Sequence, residues 1–134
     1  MSYLYQVFNY PFTNLLFHNT STGEIEKNIH SLLGKNSRGY DEISTRILKA
    51  SAPFISSPLC HIINTSLESG IFPSRLKYSV ITPLHKKGSK IIVSNYRPIS
   101  LLTKFSNIFE RIIYIRLLTH LTSNKIFTNN QFGF

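Results

Sequence analysis

The segment from Val80 to Leu102 constrains the fold of this chain most strongly. It contains a short apolar strand that ends at Pro83, a Lys-Lys-Gly turn and a returning segment, which together predict a β-hairpin. No carboxylate occurs between Arg75 and Asn107, so nothing nearby in the sequence neutralises the cations of this segment. A positive hairpin of this kind predicts an anion site, with phosphate as the ligand. The cations that the hairpin would bring close together are Lys86, Lys87, Lys90 and Arg97.

The net charge of +9 is concentrated in the second half of the chain. From Met1 to Ser74 five basic residues balance five acidic ones, whereas from Arg75 onward ten basic residues accompany Glu110 alone. This asymmetry predicts a neutral scaffold joined to a surface that binds a polyanion such as nucleic acid. The alternative is that the cations merely keep exposed surfaces soluble.

Composition argues against several classes of protein. An apolar content of 42% argues against intrinsic disorder, and no apolar run approaches the length of a membrane span, so no membrane partner is predicted. The single cysteine, Cys60, cannot form an internal disulfide, which is typical of a reducing, intracellular compartment. His61 is its neighbour, but adjacent side chains on a helix point apart, and no other histidine has a ligand partner at suitable spacing. No zinc site is therefore predicted.

The first helix is signalled by a cap. After an irregular lead-in over residues 1–20, Ser21 and Glu24 match a capping box, in which the Glu24 side chain reaches back to the backbone N–H of Ser21. Gly34 is the expected C-terminal end of this helix.

Three further helices are expected, two before the hairpin and one after it. Asp41 is a suitable N-cap for the second helix, which Pro53 breaks, and a third begins near Phe54 and ends at Gly70. The longest helical pattern runs from Lys104 to Ser123. These elements predict an α+β fold, predominantly helical, with a small antiparallel hairpin. The side chains expected to face the core are Ile25, Ile29, Leu32, Leu33, Ile43, Ile47, Leu48, Ala50, Ile55, Leu59, Ile62, Ile63, Leu67, Phe105, Ile108, Phe109, Ile112, Ile113, Leu117 and Leu121.

Five segments resemble, in order and at similar spacing, motifs of one protein family. Ser37–Ile43 is similar to S-P-G-x-D-G-I, Gly70–Lys77 to G-x-F-P-x-x-W-K, and Val80–Gly88 to a strand ending in P-[IL]-x-K-K-G. Asn95–Leu102 matches N-Y-R-P-I-S-L-L in full, and Gln131–Phe134 matches the opening of Q-F-G-F-R. These motifs resemble the amino-terminal fingers portion of reverse transcriptases encoded by non-LTR (LINE-type, jockey-like) retrotransposons. The chain departs from them at Arg38, Glu42 and Leu76, where that family has proline, glycine and tryptophan.

The resemblance implies roles for the hairpin. In reverse transcriptases the fingers hairpin presents a lysine and an arginine to the incoming nucleoside triphosphate, and these roles fall on Lys86 and Arg97, with Lys87 as a second candidate. The forked guanidinium suits phosphate and the lysine acts as a mobile point charge. An RNA template and a DNA primer are the other implied partners. The residues implied to contact nucleic acid are Lys90, Tyr96, Lys104, Arg111, Arg116, Gln131 and Gly133.

Polymerase chemistry needs carboxylates that this chain does not supply. Two metal ions have to be held by at least two close aspartates or their equivalents, but Asp41 is the one aspartate and the five glutamates are scattered over different helices. No catalytic residue, metal site or cofactor is predicted here, and magnesium is implied for the full-length parent. We expect the palm, with the catalytic aspartates, to begin just beyond Phe134, and the thumb to be missing as well.

Three interpretations follow. The first takes residues 21–134 as a partial reverse transcriptase domain, the fingers region of an RNA-directed DNA polymerase, truncated before the palm and inactive alone. The second is a non-catalytic, basic nucleic-acid-binding module. The third is an inert pseudogene product that aggregates through exposed apolar residues. The family implies a nuclear or cytoplasmic location.

Overall fold

Three α-helices and one β-hairpin make up the described part of the chain. The computed structural model describes residue 15, residues 17–34, residues 39–124 and residue 126. Within these residues the class is mixed helix and strand, mainly helical, as predicted. No helix there combines the length and the apolar character that crossing a membrane requires. The elements in chain order are α1 (Thr22–Ser31), α2 (Thr45–Ser69), β1 (Ser79–His85), β2 (Tyr96–Leu102) and α3 (Lys104–Ser123).

Helix α1 begins as predicted and ends earlier than predicted. The Ser21 Oγ accepts a hydrogen bond from the Glu24 backbone N–H at 3.2 Å, which identifies Ser21 as the N-cap. The Glu24 carboxylate accepts instead from the Thr20 hydroxyl at 2.8 Å and from Arg116, so the reciprocal half of the capping box is wrong. The helix ends at Ser31, with Leu32 already extended, so the predicted end at Gly34 is three residues too late.

Helix α2 is continuous, and the predicted break at Pro53 is wrong. The helix begins after Ser44, whose Oγ accepts from the Ile47 N–H at 3.3 Å, and it passes through both Pro53 and Pro58. Each proline removes one backbone donor from the helix. Both proline side chains are exposed, while Ala52, Ser56 and Leu59 on the other face of the helix are buried. Burial of one face of α2 therefore outweighs the two lost hydrogen bonds. Asp41 is not the N-cap.

The core lies where one face of each helix meets the others. Phe72 extends it, packing edge-to-face on Phe109 with ring centroids 5.7 Å apart. Five expected core residues are exposed, among them Leu33 at 71%, Ile47 at 63% and Ile62 at 48%. Leu33 follows the end of α1, and the other two lie on the solvent side of α2. Ala50 is also exposed, and Leu117 is 38% exposed. The buried apolar side chains are Ile25, Ile29, Leu48, Ala52, Leu59, Ile63, Ile108, Phe109 and Ile112.

Helix α3 follows the hairpin directly. Thr103 is its N-cap, and its Oγ1 accepts from the Ser106 N–H at 3.0 Å. The Ser106 hydroxyl also donates to the Leu76 carbonyl at 2.7 Å, which attaches the start of α3 to the turn of 3₁₀ helix at Ser74–Lys77. Asn124 ends the helix as predicted, with its backbone N–H donating to the His120 carbonyl. Because β2 leads into α3, the position of α3 in the core fixes the base of the hairpin.

Candidate phosphate-binding hairpin

The hairpin is an antiparallel ladder of seven residue pairs, from Ser79 opposite Leu102 to His85 opposite Tyr96. Strand β1 runs two residues beyond Pro83, so the predicted strand end is wrong. Pro83 lies directly opposite Pro98. The Lys86 N–H donates to the Asn95 carbonyl at 2.8 Å, and hydrogen-bonded pairs alternate along an antiparallel ladder. The two prolines therefore occupy a non-hydrogen-bonded pair, where a missing N–H costs no ladder bond.

Asn95 organises the loop between the strands. Its side-chain Nδ2 donates to the Ser89 carbonyl at 2.8 Å, and its backbone N–H donates to the Ile92 carbonyl at 3.1 Å. Gly88 has a φ of +82°, and a Cβ there would lie 2.8 Å from the Asn95 Nδ2. The glycine of the Lys-Lys-Gly turn is therefore required both for its backbone conformation and for the close approach of Asn95.

Tyr96 joins the loop to the strands. Its hydroxyl donates to the Lys90 carbonyl at 2.9 Å, and its ring meets that of His85 edge-to-face with centroids 5.3 Å apart. The His85 Nε2 lies 3.0 Å from the Gly88 carbonyl oxygen. The Tyr96 ring thus packs on the hairpin, and its contact with nucleic acid stays a prediction.

Four exposed cations lie at this end of the hairpin. Arg97 is opposite Leu84, and the bonded pair of Lys86 and Asn95 continues the same register. By strand alternation Lys86 and Arg97 share one face as diagonal neighbours, with Cβ atoms about 7 Å apart. Lys87 and Lys90 are in the adjoining loop. Within residues 17–34 and 39–124 none of these four cations forms an ion pair with a carboxylate. The tip is therefore a concentrated positive surface open to an anion.

Arg116 lies elsewhere and has partners. Its Nη2 is 2.6 Å from Glu24 Oε2 and its Nη1 is 2.9 Å from Glu24 Oε1, while its Nε donates to the His18 carbonyl at 2.9 Å. The side chain is 14% exposed. The hydrogen bond from Arg116 holds the pKa of the Glu24 carboxyl below its ordinary value, and the same bond raises the pKa of Arg116. In this fold Arg116 connects α3 to α1 and to the segment before it.

The remaining candidates for nucleic-acid contact are dispersed. Lys104 is buried at the start of α3, and Arg111 is exposed and donates to the Ser31 Oγ at 2.7 Å. Gln131 and Gly133 lie outside the described residues. The structure thus gathers the hairpin cations and separates them from the candidates on α3.

Comparison with known proteins identifies relatives over most of the chain. Over 112 residues, 83% of the chain, it is 38% identical to the probable RNA-directed DNA polymerase from transposon BS of Drosophila melanogaster. Over the same length it is 35% identical to the RNA-directed DNA polymerase from mobile element jockey of that species. The chain is homologous to non-LTR transposon polymerases. The resemblance to polymerases of non-LTR transposons is thus confirmed.

The homology covers a small part of these polymerases. The chain spans 12% of the length of the transposon BS and jockey proteins, and 11% of the probable RNA-directed DNA polymerase from transposon X-element of D. melanogaster, to which it is 33% identical over 97 residues. No protein-family model matches the chain.

In this homologue of transposon polymerases, Gly39 of the first of the five motifs lies against the base of the hairpin. A Cβ on Gly39 would lie 2.7 Å from the Thr103 Cα, so the loop before α2 presses backbone-to-backbone on the junction of β2 and α3. Glu42, which stands where the motif has glycine, has a φ of +55°. Leu76, which stands where the family has tryptophan, packs against the core. Sequence reasoning identified these motif positions but not the contacts that they make.

A network of hydrogen bonds between the segment before α1 and helix α2 was not predicted from the sequence. The Asn64 side chain brackets Thr20, accepting from its N–H at 2.7 Å and donating to its carbonyl at 3.0 Å. The Cys60 thiol donates to the same carbonyl at 3.2 Å, and the Asn19 amide donates to Glu68 at 3.0 Å. Residues 18–20 are therefore tied to α2 as well as to Arg116. Because the partners are at least 40 positions apart, no local pattern indicates them.

The described residues do not fit a metal site of the kind that polymerase chemistry uses. No group of three His, Cys, Asp or Glu side chains in the described ranges lies close enough to hold a metal ion. The Asp41 Oδ1 accepts from the Ile43 N–H at 3.2 Å, so this carboxylate shapes the turn before α2. No step that passes through magnesium is assigned to this chain.

Proposed function

We propose that this chain is the fingers portion of a non-LTR retrotransposon reverse transcriptase, and that its hairpin holds the triphosphate of the incoming nucleotide beside the template. The homology to transposon polymerases supports the family part of this proposal. The cluster of cations at the hairpin tip, which forms no ion pair with a carboxylate in the described part of the chain, supports the binding part.

Arg97 and Lys86 contribute to phosphate binding in different ways. Arg97 comes from the hydrogen-bonded ladder and is followed by Pro98, which restricts its backbone to an extended conformation. Its guanidinium offers parallel N–H donors to two phosphate oxygens. Lys86, at the end of the ladder, supplies a point charge with a longer reach. Lys87 and Lys90 add charge from the loop. Phosphoryl transfer depends mainly on positioning and charge stabilisation, and this hairpin would supply both to the triphosphate.

The chain does not polymerise by itself under this proposal. The two-metal site needs close carboxylates, but Asp41 shapes the turn before α2 and Glu24 forms the ion pair with Arg116. Its partners are an RNA template, a DNA primer, a deoxynucleoside triphosphate and the palm and thumb of a polymerase, in the nucleus or the cytoplasm. Magnesium would be held by the palm.

A salt series tests the proposal. The 134-residue chain is titrated with a short RNA–DNA hybrid and, separately, with inorganic triphosphate, beside a Lys86→Ala/Arg97→Ala double variant. Each phosphate contact contributes about 0.7 to 0.9 to the slope of log K against log salt. The double variant should therefore lower the slope for the hybrid by roughly 1.5, and it should weaken triphosphate binding.

A matched control separates a site from general charge. Lys27→Ala/Arg46→Ala removes the same charge from exposed positions on α1 and α2, and it should leave triphosphate binding nearly unchanged. Equal effects of both double variants would contradict a phosphate site in the hairpin. Binding of the hybrid without any binding of triphosphate would favour the non-catalytic nucleic-acid-binding module, which the scattered carboxylates also favour.

A further inference from the structure

The hairpin loop carries three consecutive apolar side chains that are more than half exposed. Ile91 is 93% exposed, Ile92 is 53% exposed and Val93 is 85% exposed. Single exposed apolar residues are ordinary, but three β-branched residues in a row at the tip of a projecting hairpin form a small apolar surface. We refer to Ile91, Ile92 and Val93 as the apolar tip.

The backbone beneath the apolar tip is held by hydrogen bonds on both sides. The Ile92 N–H donates to the Ser89 carbonyl at 3.4 Å, and its own carbonyl accepts from the Asn95 N–H at 3.1 Å. The Asn95 amide closes on the Ser89 carbonyl, and the Tyr96 hydroxyl on the Lys90 carbonyl. An ordered frame that presents apolar side chains outward has already lost much of the entropy that binding would otherwise cost.

The charges around the apolar tip select the kind of partner. Lys86, Lys87 and Lys90 precede it and Arg97 follows it, with no ion pair to any described carboxylate. The complementary ligand has an anionic periphery and an apolar interior at short distance. A nucleic-acid strand whose bases are not paired offers this combination, because each base presents an apolar face beside its own phosphate.

We infer that the apolar tip contacts the faces of unpaired template bases while the surrounding cations hold the backbone of the same strand. This inference rests on the proposed function and adds a base-contacting subsite to it. Isoleucine side chains are among those that proteins insert between bases in bound nucleic acid. Since the contact is apolar and each base has an aromatic face, it should be insensitive to base sequence and nearly independent of salt.

The test compares two polyanions, one with bases and one without. The 134-residue chain and an Ile91→Ser/Ile92→Ser/Val93→Ser variant are titrated with a short single-stranded RNA and with inorganic polyphosphate. Because these side chains are exposed, circular dichroism and thermal unfolding should match between the two proteins. The variant should bind RNA about tenfold more weakly, with an unchanged salt slope and unchanged affinity for polyphosphate. A 2-aminopurine in the RNA should change its fluorescence with the parent chain and not with the variant.

Phe54→Ser is the matched control, since Phe54 is 82% exposed on α2 and has no basic neighbour within four positions. It should leave RNA affinity unchanged. Equal weakening toward RNA and polyphosphate would overturn the inference, and so would undiminished RNA affinity. Both proteins are also titrated with phosphatidylserine vesicles. If the triple-serine variant loses binding to these vesicles but not to RNA, the inference is overturned in favour of a lipid surface. Failure of the parent chain to bind either polyanion would count against the proposed function as well, so the two failures are distinguishable.

Discussion

The backbone of Gly39 lies against that of Thr103, the residue that caps α3. A Cβ on Gly39 would be 2.7 Å from the Thr103 Cα and 2.8 Å from its nitrogen. Both of these atoms are backbone atoms, so no side-chain rotation can relieve the contact. The loop before α2 and the end of β2 are thus joined through one glycine, and this places the hairpin relative to the helical core.

Gly39→Ala should therefore destabilise the chain. The added methyl group forces the loop away from Thr103, which we expect to lower the free energy of unfolding by about 1 to 3 kcal/mol. Urea denaturation followed by circular dichroism measures the change. Gly23→Ala is the control, because nothing lies within 4 Å of a Cβ at that position of α1. This control should be neutral or stabilising, and equal destabilisation by both variants would contradict the contact.

Glu42 adopts a left-handed backbone conformation, with a φ of +55°. A residue with a Cβ is strained there, whereas glycine is not. We expect Glu42→Gly to raise the free energy of unfolding by up to about 1 kcal/mol. Glu26→Gly, in the middle of α1, should lower it by about 1 kcal/mol, as glycine does in helices. Thermal unfolding of the two variants should shift in opposite directions, and a parallel decrease would refute strain at Glu42.

The ion pair between Arg116 and Glu24 should make stability depend on pH in the acid range. The hydrogen bond from Arg116 lowers the Glu24 pKa in the folded state, so the folded chain binds this proton less readily than the unfolded chain does. The stabilisation is fully present above the unfolded pKa, about 4.3, and is lost as pH falls through the folded pKa. Glu24→Gln should lower stability at pH 7. Urea titrations at several pH values should also show that its free energy of unfolding depends less on pH in the acid range.

Two further variants check the same pair. Arg116→Gln removes the donor and leaves the Glu24 carboxylate partly buried, so it should lower the free energy of unfolding by roughly 1 to 3 kcal/mol. Arg111→Gln, which loses one bond from an exposed side chain to Ser31, should cost much less. If the free energy of unfolding of Glu24→Gln falls at acid pH as steeply as that of the parent chain, other carboxyl groups control this pH dependence.

Local patterns predicted much of this fold because the signals themselves are local. The Ser21 cap, the apolar face of α3 and the Asn124 terminus each depend on residues within a few positions. The hairpin followed from two apolar segments around a basic turn. Its cations were predicted to cluster, and the register brings them to one end.

The failures have the opposite cause. Pro53 is a strong local signal for a break, yet the helix continues because its other face packs against α1 and α3. Glu24 matched a capping box, but Arg116, 92 positions away, takes the carboxylate. Ile47 and Ile62 fit the helical spacing of apolar residues, but only the tertiary packing decides which face of α2 is buried. The sequence showed which positions are apolar or charged, and long-range partners determined how several of them are used.

The non-hydrogen-bonded pair formed by Pro83 and Pro98 also limits how the hairpin can grow. Neither residue has an N–H to offer on either edge, so a third strand laid along β1 or β2 would find a donor missing at mid-length. Edge strands with exposed apolar residues ordinarily attract one another and aggregate. This hairpin exposes Ile81 and Leu84, and the two prolines hinder edge-to-edge pairing of its strands with those of further copies.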